Sequence, residues 1–313
     1  MIEINELSKV YIESGVLSLD RVTLDIPEKS IVGLIGTNGA GKSTLLRIAA
    51  GIYRQDSGTV LIDGEPVYEN NDAKSKIAYI SDEQYYQPGM TMKRMAMIHA
   101  SLREGFSVEK FHRLAERFGL DVNRRLSGFS KGMRRQSDIA IALSYGAKYL
   151  LCDETFDGLD PLTREKTKRI FIEEIMDNGA TILMSSHNLR EMEDICDRIV
   201  LIHQGKLVIS ANVDDMRGQV SKYQVVFSGS NISVASLNPM HLNASGKMLS
   251  FIAEGDPEDM EKKLAKIAEG AGSSLVYCEA VPLTLEEVFS YKLESSGLVE
   301  SDEKDMKISG EVM

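Results

Sequence analysis

Residues Ile31 to Gly51 read IVGLIGTNGAGKSTLLRIAAG: an apolar run, a glycine-rich turn, then apolar residues at helical spacing through Leu45, Leu46 and Ile48. No other stretch constrains the fold as strongly. The turn from Gly36 to Thr44 has the pattern GxxxxGK[ST] between a predicted strand and a predicted helix, which is the phosphate loop in the context it requires. Its glycines let consecutive backbone N–H groups turn inward as an anion nest, and the helix N-terminus adds partial positive charge. Lys42 is expected to reach the outer phosphates of a nucleotide and Ser43 to offer its hydroxyl to Mg²⁺. Asn38, Gly39, Gly41 and Thr44 complete the expected contacts. A glycine-rich turn with a chance lysine would not carry every one of these elements in order.

Two further apolar runs end in chemistry. Lys148-Tyr-Leu-Leu-Cys152 leads into Asp153 and Glu154. At a strand end, the first acid can hold Mg²⁺ through water and the second can orient and deprotonate an attacking water. Paired acids are common at surface strand ends, and it is the phosphate loop that makes this pair specific. The run from Thr181 ends at His187, and the ends of strands line the ligand crevice of an α/β sheet. A γ-phosphate contact is therefore expected there. His99, His112, His203 and His241 lack such a setting and read as surface or packing residues.

Together these segments resemble the ATP-binding subunits of ABC transporters, over about residues 1 to 215. The stretch LSGFSKGMRRQ holds two overlapping registers of that family's signature. Ser130 lies 23 residues ahead of Asp153, the family's spacing, whereas Ser127 lies 26 ahead. FSKGM is therefore the signature, with Ser130 as N-cap of the helix that follows. Lys131 and Met133 replace the usual Gly and Gln, while Ser130 and Gly132 remain.

The resemblance implies ATP and Mg²⁺ as cofactors and ATP hydrolysis as the activity, with Glu154 and His187 catalytic. It implies a second ATPase subunit, a homodimer partner facing this one head to tail. Ser130 and Gly132 of one chain would then close over the γ-phosphate held by the other. It also implies a transmembrane permease on a separate chain. Tyr11, expected ahead of the first strand pair, matches the aromatic that stacks on adenine, with Val16 beside it. Asp160 matches the loop connecting the two nucleotide sites. Asp82 stands where a glutamine contacting Mg²⁺ or the attacking water is usual, and Gln84 takes that role if the register slips. Among family members, the closest likeness is to exporters of peptides and drugs in Gram-positive bacteria. An importer ATPase, or an ATPase acting on ribosomes or DNA, stays open as an alternative. A degenerate ATP binder is opposed by Glu154 and His187.

A net charge of −11 is a poor match to nucleic acid or anionic lipid, so no nucleic-acid partner is expected. Cys152, Cys196 and Cys278 read as free thiols. The N-terminus MIEINELSKVY lacks the pattern of a signal peptide, and no run approaches the roughly 18 apolar residues of a membrane span. The expected place is cytoplasmic, peripheral on the inner face of the membrane through the permease.

The expected fold is α/β: a P-loop ABC-type ATPase core over 1–217 with an inserted helical subdomain at about 84–142, then a small α+β domain over 218–292. Helices are predicted at Thr91–Gly105 and Val108–Gly119. Met90, Met92, Met95 and Met97 fill core there, or form a groove with Tyr85 and Tyr86 for a permease helix. In the second domain strands are predicted at Lys222–Phe227, Met248–Ala253 and Ser274–Glu279, and a helix at Pro257–Ala268. Val281–Phe289 resembles a C-terminal segment of exporter ATPases. Residues 293–313 read as an acidic, disordered tail.

Overall fold

A computed structural model describes residues 1–12, 15–83, 85–213, 215, 220–229 and 232–295, without the side chains of residues 282, 285 and 292–295. It divides into two compact units, Met1–Ala211 and one beginning at Asn212, a few residues before the boundary expected at 217.

The first unit contains strands β1 (Ile2–Tyr11), β2 (Val16–Ile26), β3 (Ile31–Ile35), β4 (Ser57–Ile62), β5 (Glu65–Pro66), β6 (Ile77–Ile80), β7 (Tyr149–Cys152), β8 (Thr181–Ser186), β9 (Arg198–His203) and β10 (Lys206–Asn212). Strands β3, β7 and β8 are buried at every position, as expected of parallel strands covered on both faces. They lie in one sheet of order β10-β9-β3-β8-β7-β6. Parallel registers pair Ile35 with Ser186 and Cys152 with Met184. The strands leading to the phosphate loop, to Asp153-Glu154 and to His187 are thus immediate neighbours that end at one edge. That adjacency builds the site.

A second sheet, of order β2-β1-β4-β5, is antiparallel. Its Ile2, Ile4, Leu24 and Val60 share one buried cluster with Leu45, Leu46 and Ile48 of helix α1 (Lys42–Ala49) and with Leu34 and Val200 of the parallel sheet. The helix that follows the phosphate loop is therefore held by apolar contacts to both sheets. Tyr11 is not ahead of this strand pair, as expected, but ends β1 directly opposite Val16.

After α2 (Asn71–Ser75) come α3 (Met92–Leu102), α4 (Val108–Phe118) and α5 (Lys131–Leu143). Each of these last three is N-capped by a hydroxyl, from Thr91, Ser107 and Ser130 respectively. Helix α4 buries Phe111, Leu114, Ala115 and Phe118, a stripe spaced i, i+3, i+4, i+7. Met90 and Met92 are core, Met97 is 62% exposed, and Met95 lines a groove with Tyr85 and Tyr86. The methionine cluster thus divides between core filling and a surface groove. Helices α6 (Pro161–Asn178) and α7 (Leu189–Glu193) complete the unit.

The second unit has an antiparallel sheet of order β12-β13-β11-β14, from β11 (Val220–Phe227), β12 (Met240–Ser245), β13 (Met248–Glu254) and β14 (Leu275–Pro282). Tyr223, Val225 and Phe251 form a core with Met260 and Leu264 of the helix Pro257–Gly270. Strand β12 was not expected. Its residues are almost all exposed, so it lacks the alternation that marks a half-buried strand. A helix at Leu285–Ser295 also went unread, and it runs past 293, where the acidic tail was expected to begin. The rest of that tail, from residue 296, lies outside the described residues.

The three cysteines are free, and burial pushes the Cys152 thiol up to about 12. Among the described residues no helix is long and apolar enough to cross a membrane.

One polar cluster pins the edge of the first unit. Asp63 accepts from Lys148 and Tyr149 beside β7, from Lys76 and from the amino group of Met1. Burial alone would raise its pKa, but these donors hold the carboxyl well below the usual range. A depressed carboxyl contributes stability above its unfolded pKa and loses it as pH falls through the folded one. Asp63→Asn is expected to cost about 1 kcal/mol at pH 7, after screening of partly exposed charges. In thermal melts from pH 7 down, the gap between mutant and wild type should narrow and close only well below pH 4.

Candidate functional site

Gly41 ends the phosphate loop at φ +106°, and a Cβ there would lie 2.5 Å from the Ser18 carbonyl oxygen. Both facts exclude a side chain. Lys42 is buried and folds back, donating to the carbonyls of Gly36 at 2.7 Å and Thr37 at 3.3 Å. Its ammonium also lies 3.3 Å from Glu154. The Thr44 hydroxyl bonds the hydroxyls of Tyr11 and Ser18. The loop forms the floor of a cavity of about 350 Å³ that Tyr11, Val16, Asp82 and Glu154 help to line.

Asp153 is fully buried. Its carboxylate accepts from Ser43 at 3.0 Å, Ser185 at 2.8 Å and Tyr79 at 3.3 Å. Burial, and then the Asp153 charge, push Tyr79 up to about 12, so the phenol keeps its proton and donates. The Ser43 hydroxyl against a carboxylate is a hard-oxygen pair of the kind that suits Mg²⁺, which binds through one or two carboxylates plus phosphates. Among the described residues no group of three or more His, Cys, Asp or Glu could hold a metal, so a metal here would take its remaining ligands from nucleotide and water.

Glu154 adopts φ +45°, a left-handed conformation that costs a non-glycine residue about 1–3 kcal/mol. Its N–H donates to the Ser185 hydroxyl at 2.9 Å. Its carboxylate lies between Lys42 and His187, whose Nδ1 is 2.9 Å away. Ser185 therefore serves both acids, bonding the Asp153 side chain and the Glu154 backbone. Sequence reading passed over Ser185 and Tyr79. The available signal was the Ser-Ser pair ending an otherwise apolar strand before His187.

Ser130 and Gly132 do not line this cavity. Ser130 caps α5 by accepting from the Met133 N–H at 3.2 Å. Gly132 packs on the loop before Asp160, where a Cβ would come within 2.8 Å of the Gly158 carbonyl oxygen. Lys131 pairs with Asp157 in that loop, and Asp160 caps α6. Asp82 reaches the cavity wall, but its carboxylate accepts from Arg135 at 3.1 Å. Gln84, the alternative, lies outside the described residues.

A profile described as ABC transporter matches residues 19–157. The lantibiotic transport ATP-binding protein SrtF of Streptococcus pyogenes is 32% identical over 216 residues, 68% of this chain and 92% of that protein. The chain belongs to the ABC transporter ATP-binding family. It is an ATPase subunit that powers a transporter. Similarity to the ABC transporter ATP-binding protein YtrB of Bacillus subtilis (strain 168) is 27% over 293 residues, covering 93% of this chain and 98% of that protein. That match extends beyond Ala211, so it includes the second unit. A solved structure titled as the ATP binding subunit of an ABC transporter superposes with a TM-score of 0.63 at 29% identity, over 69% of this chain and 92% of that one.

The fit around Gly132 is directly testable. Gly132→Ala gains roughly 1 kcal/mol of helix propensity but forces a Cβ against a backbone carbonyl, and overpacking typically costs about 1–3 kcal/mol. A net loss in thermal stability is expected; a more stable mutant would show that the first turn of α5 and the loop at Gly158 are free to part.

Proposed function

We propose that this ABC ATPase binds ATP with Mg²⁺ in the cavity over the phosphate loop, works as a head-to-tail pair, and drives export of peptides or drugs through a separate permease. The observation that carries the reading is the Glu154 carboxylate, held between Lys42 and His187 one residue after a buried aspartate bonded to Ser43. Bound Mg²⁺, held by Ser43 and Asp153, would neutralise charge on the phosphates. Lys42 exchanges its two carbonyls and Glu154 for the β- and γ-phosphates. Glu154 then takes a proton from water as the water oxygen bonds to the γ-phosphorus and the bond to ADP breaks. His187 orients Glu154 and contacts the γ-phosphate, and Tyr11 with Val16 supports the adenine. Asp82, the candidate to touch the metal or the water, would have to leave Arg135 to do so.

Export is supported by the lantibiotic transport named for SrtF, and the charge of −11 disfavours the ribosome or DNA reading. The groove holding Met95, Tyr86 and the 88% exposed Tyr85 suits a permease helix, which would bring the chain to the inner face of the membrane. Co-purification with a membrane protein, and ATP-dependent peptide movement into inverted vesicles, separates these readings.

Glu154→Gln should keep ATP binding and lose about 10²–10⁴ in hydrolysis. Near-normal turnover would move the proton-accepting role to His187 or Asp82. Ser130→Arg and Lys42→Ala chains should each be inactive, while mixing them assembles one intact composite site. Nucleotide trapping at that site should reappear, and cysteines at Ser130 and Ser43 should crosslink two chains when ATP is added. A crosslink confined to one chain would overturn the head-to-tail pair.

A further inference from the structure

Arg135 is the largest side chain among the fully buried ones. A buried guanidinium without a counter-charge is strongly unfavourable. This one, carried by the signature helix α5, donates to the backbone carbonyls of Ser81 at 2.5 Å and Asp82 at 3.1 Å. Its ion-pair partner is the Asp82 carboxylate at 3.1 Å, while Asp157 feels its charge from further away. Asp82 is 46% exposed and lines the nucleotide cavity. The pair therefore joins the helix that starts at Ser130 to the wall of the chain's own phosphate site.

We propose that Arg135 is a positioning residue that fixes and neutralises Asp82, and that the two are matched. The acid stands where a glutamine is usual because glutamine would take away the carboxylate in direct contact with the buried Arg135. Conversely, without Arg135 the Asp82 carboxylate would face the triphosphate as an unbalanced negative charge. This rests on reading the cavity as the ATP site.

The test is binding of a fluorescent ATP analogue in EDTA, which removes any metal contact of Asp82, together with thermal melts. Arg135→Gln should weaken binding by about fivefold to tenfold, the size expected of one unbalanced charge several ångströms from the phosphates. Asp82→Gln should bind the analogue more tightly and melt at a lower temperature. The double substitution should return both quantities towards wild type. Unchanged binding by Arg135→Gln, or additive effects in the double variant, would overturn the pairing. If Arg135→Gln fails to fold while the double variant folds, the match is supported directly. If neither folds, Asp82→Gln decides: wild-type melting would refute the proposal. Lys42→Ala serves as the separate control. Undiminished binding by it would refute the cavity as the ATP site, while the melting results would still report on the pair.

Discussion

A carboxylate removed wholly from water must find donors or it will not stay charged, and the centre of this protein is arranged around that requirement at Asp153. Its donors come from different elements: Ser43 from the start of α1, Ser185 from β8 and Tyr79 from β6. Satisfying one acid thus ties the phosphate-loop helix to strands on either side of β7. Ser185 then passes the constraint on by accepting from the Glu154 N–H, which holds that residue in its left-handed turn. The aim of Glu154 at Lys42 and His187 follows from a buried neighbour's hydrogen bonds.

The signature segment obeys a different constraint, close packing. With no Cβ on Gly132, the first turn of α5 lies against the Gly158 carbonyl, and the Lys131–Asp157 pair closes the same contact from the side. The caps at Ser130 and Asp160 are therefore held in one packed body. Arg135, on the next turn of α5, extends that body to Ser81 and Asp82. A single helix start is thereby connected both to the loop at Asp160 and to the wall of the cavity over the glycine-rich turn.

Much of this was legible in the sequence, and the reason is locality. The phosphate loop, the acids after β7 and the hydroxyl caps are each specified by residues a few positions apart, and strand, turn and helix follow from that spacing. Tyr79, Ser185 and Arg135 escaped because their importance is decided across strands, by what a buried acid or cation meets in space. Strand β12 escaped for the opposite reason: residues such as His241, Asn243 and Ser245 are exposed and give no alternation. The helix at Leu285 did announce itself, since Thr284 and Glu287 form a reciprocal capping box, but the segment around it was read only by resemblance.

Lys42 has a further meaning. Its ammonium is surrounded by the carbonyls of Gly36 and Thr37 and by the Glu154 carboxylate. The charge of the lysine is thus matched inside the glycine-rich turn by groups of its own chain. A nucleotide bound as proposed would swap these partners for its phosphates. In the proposed reaction the same exchange would part Glu154 from the lysine, tying the base to the phosphate it serves.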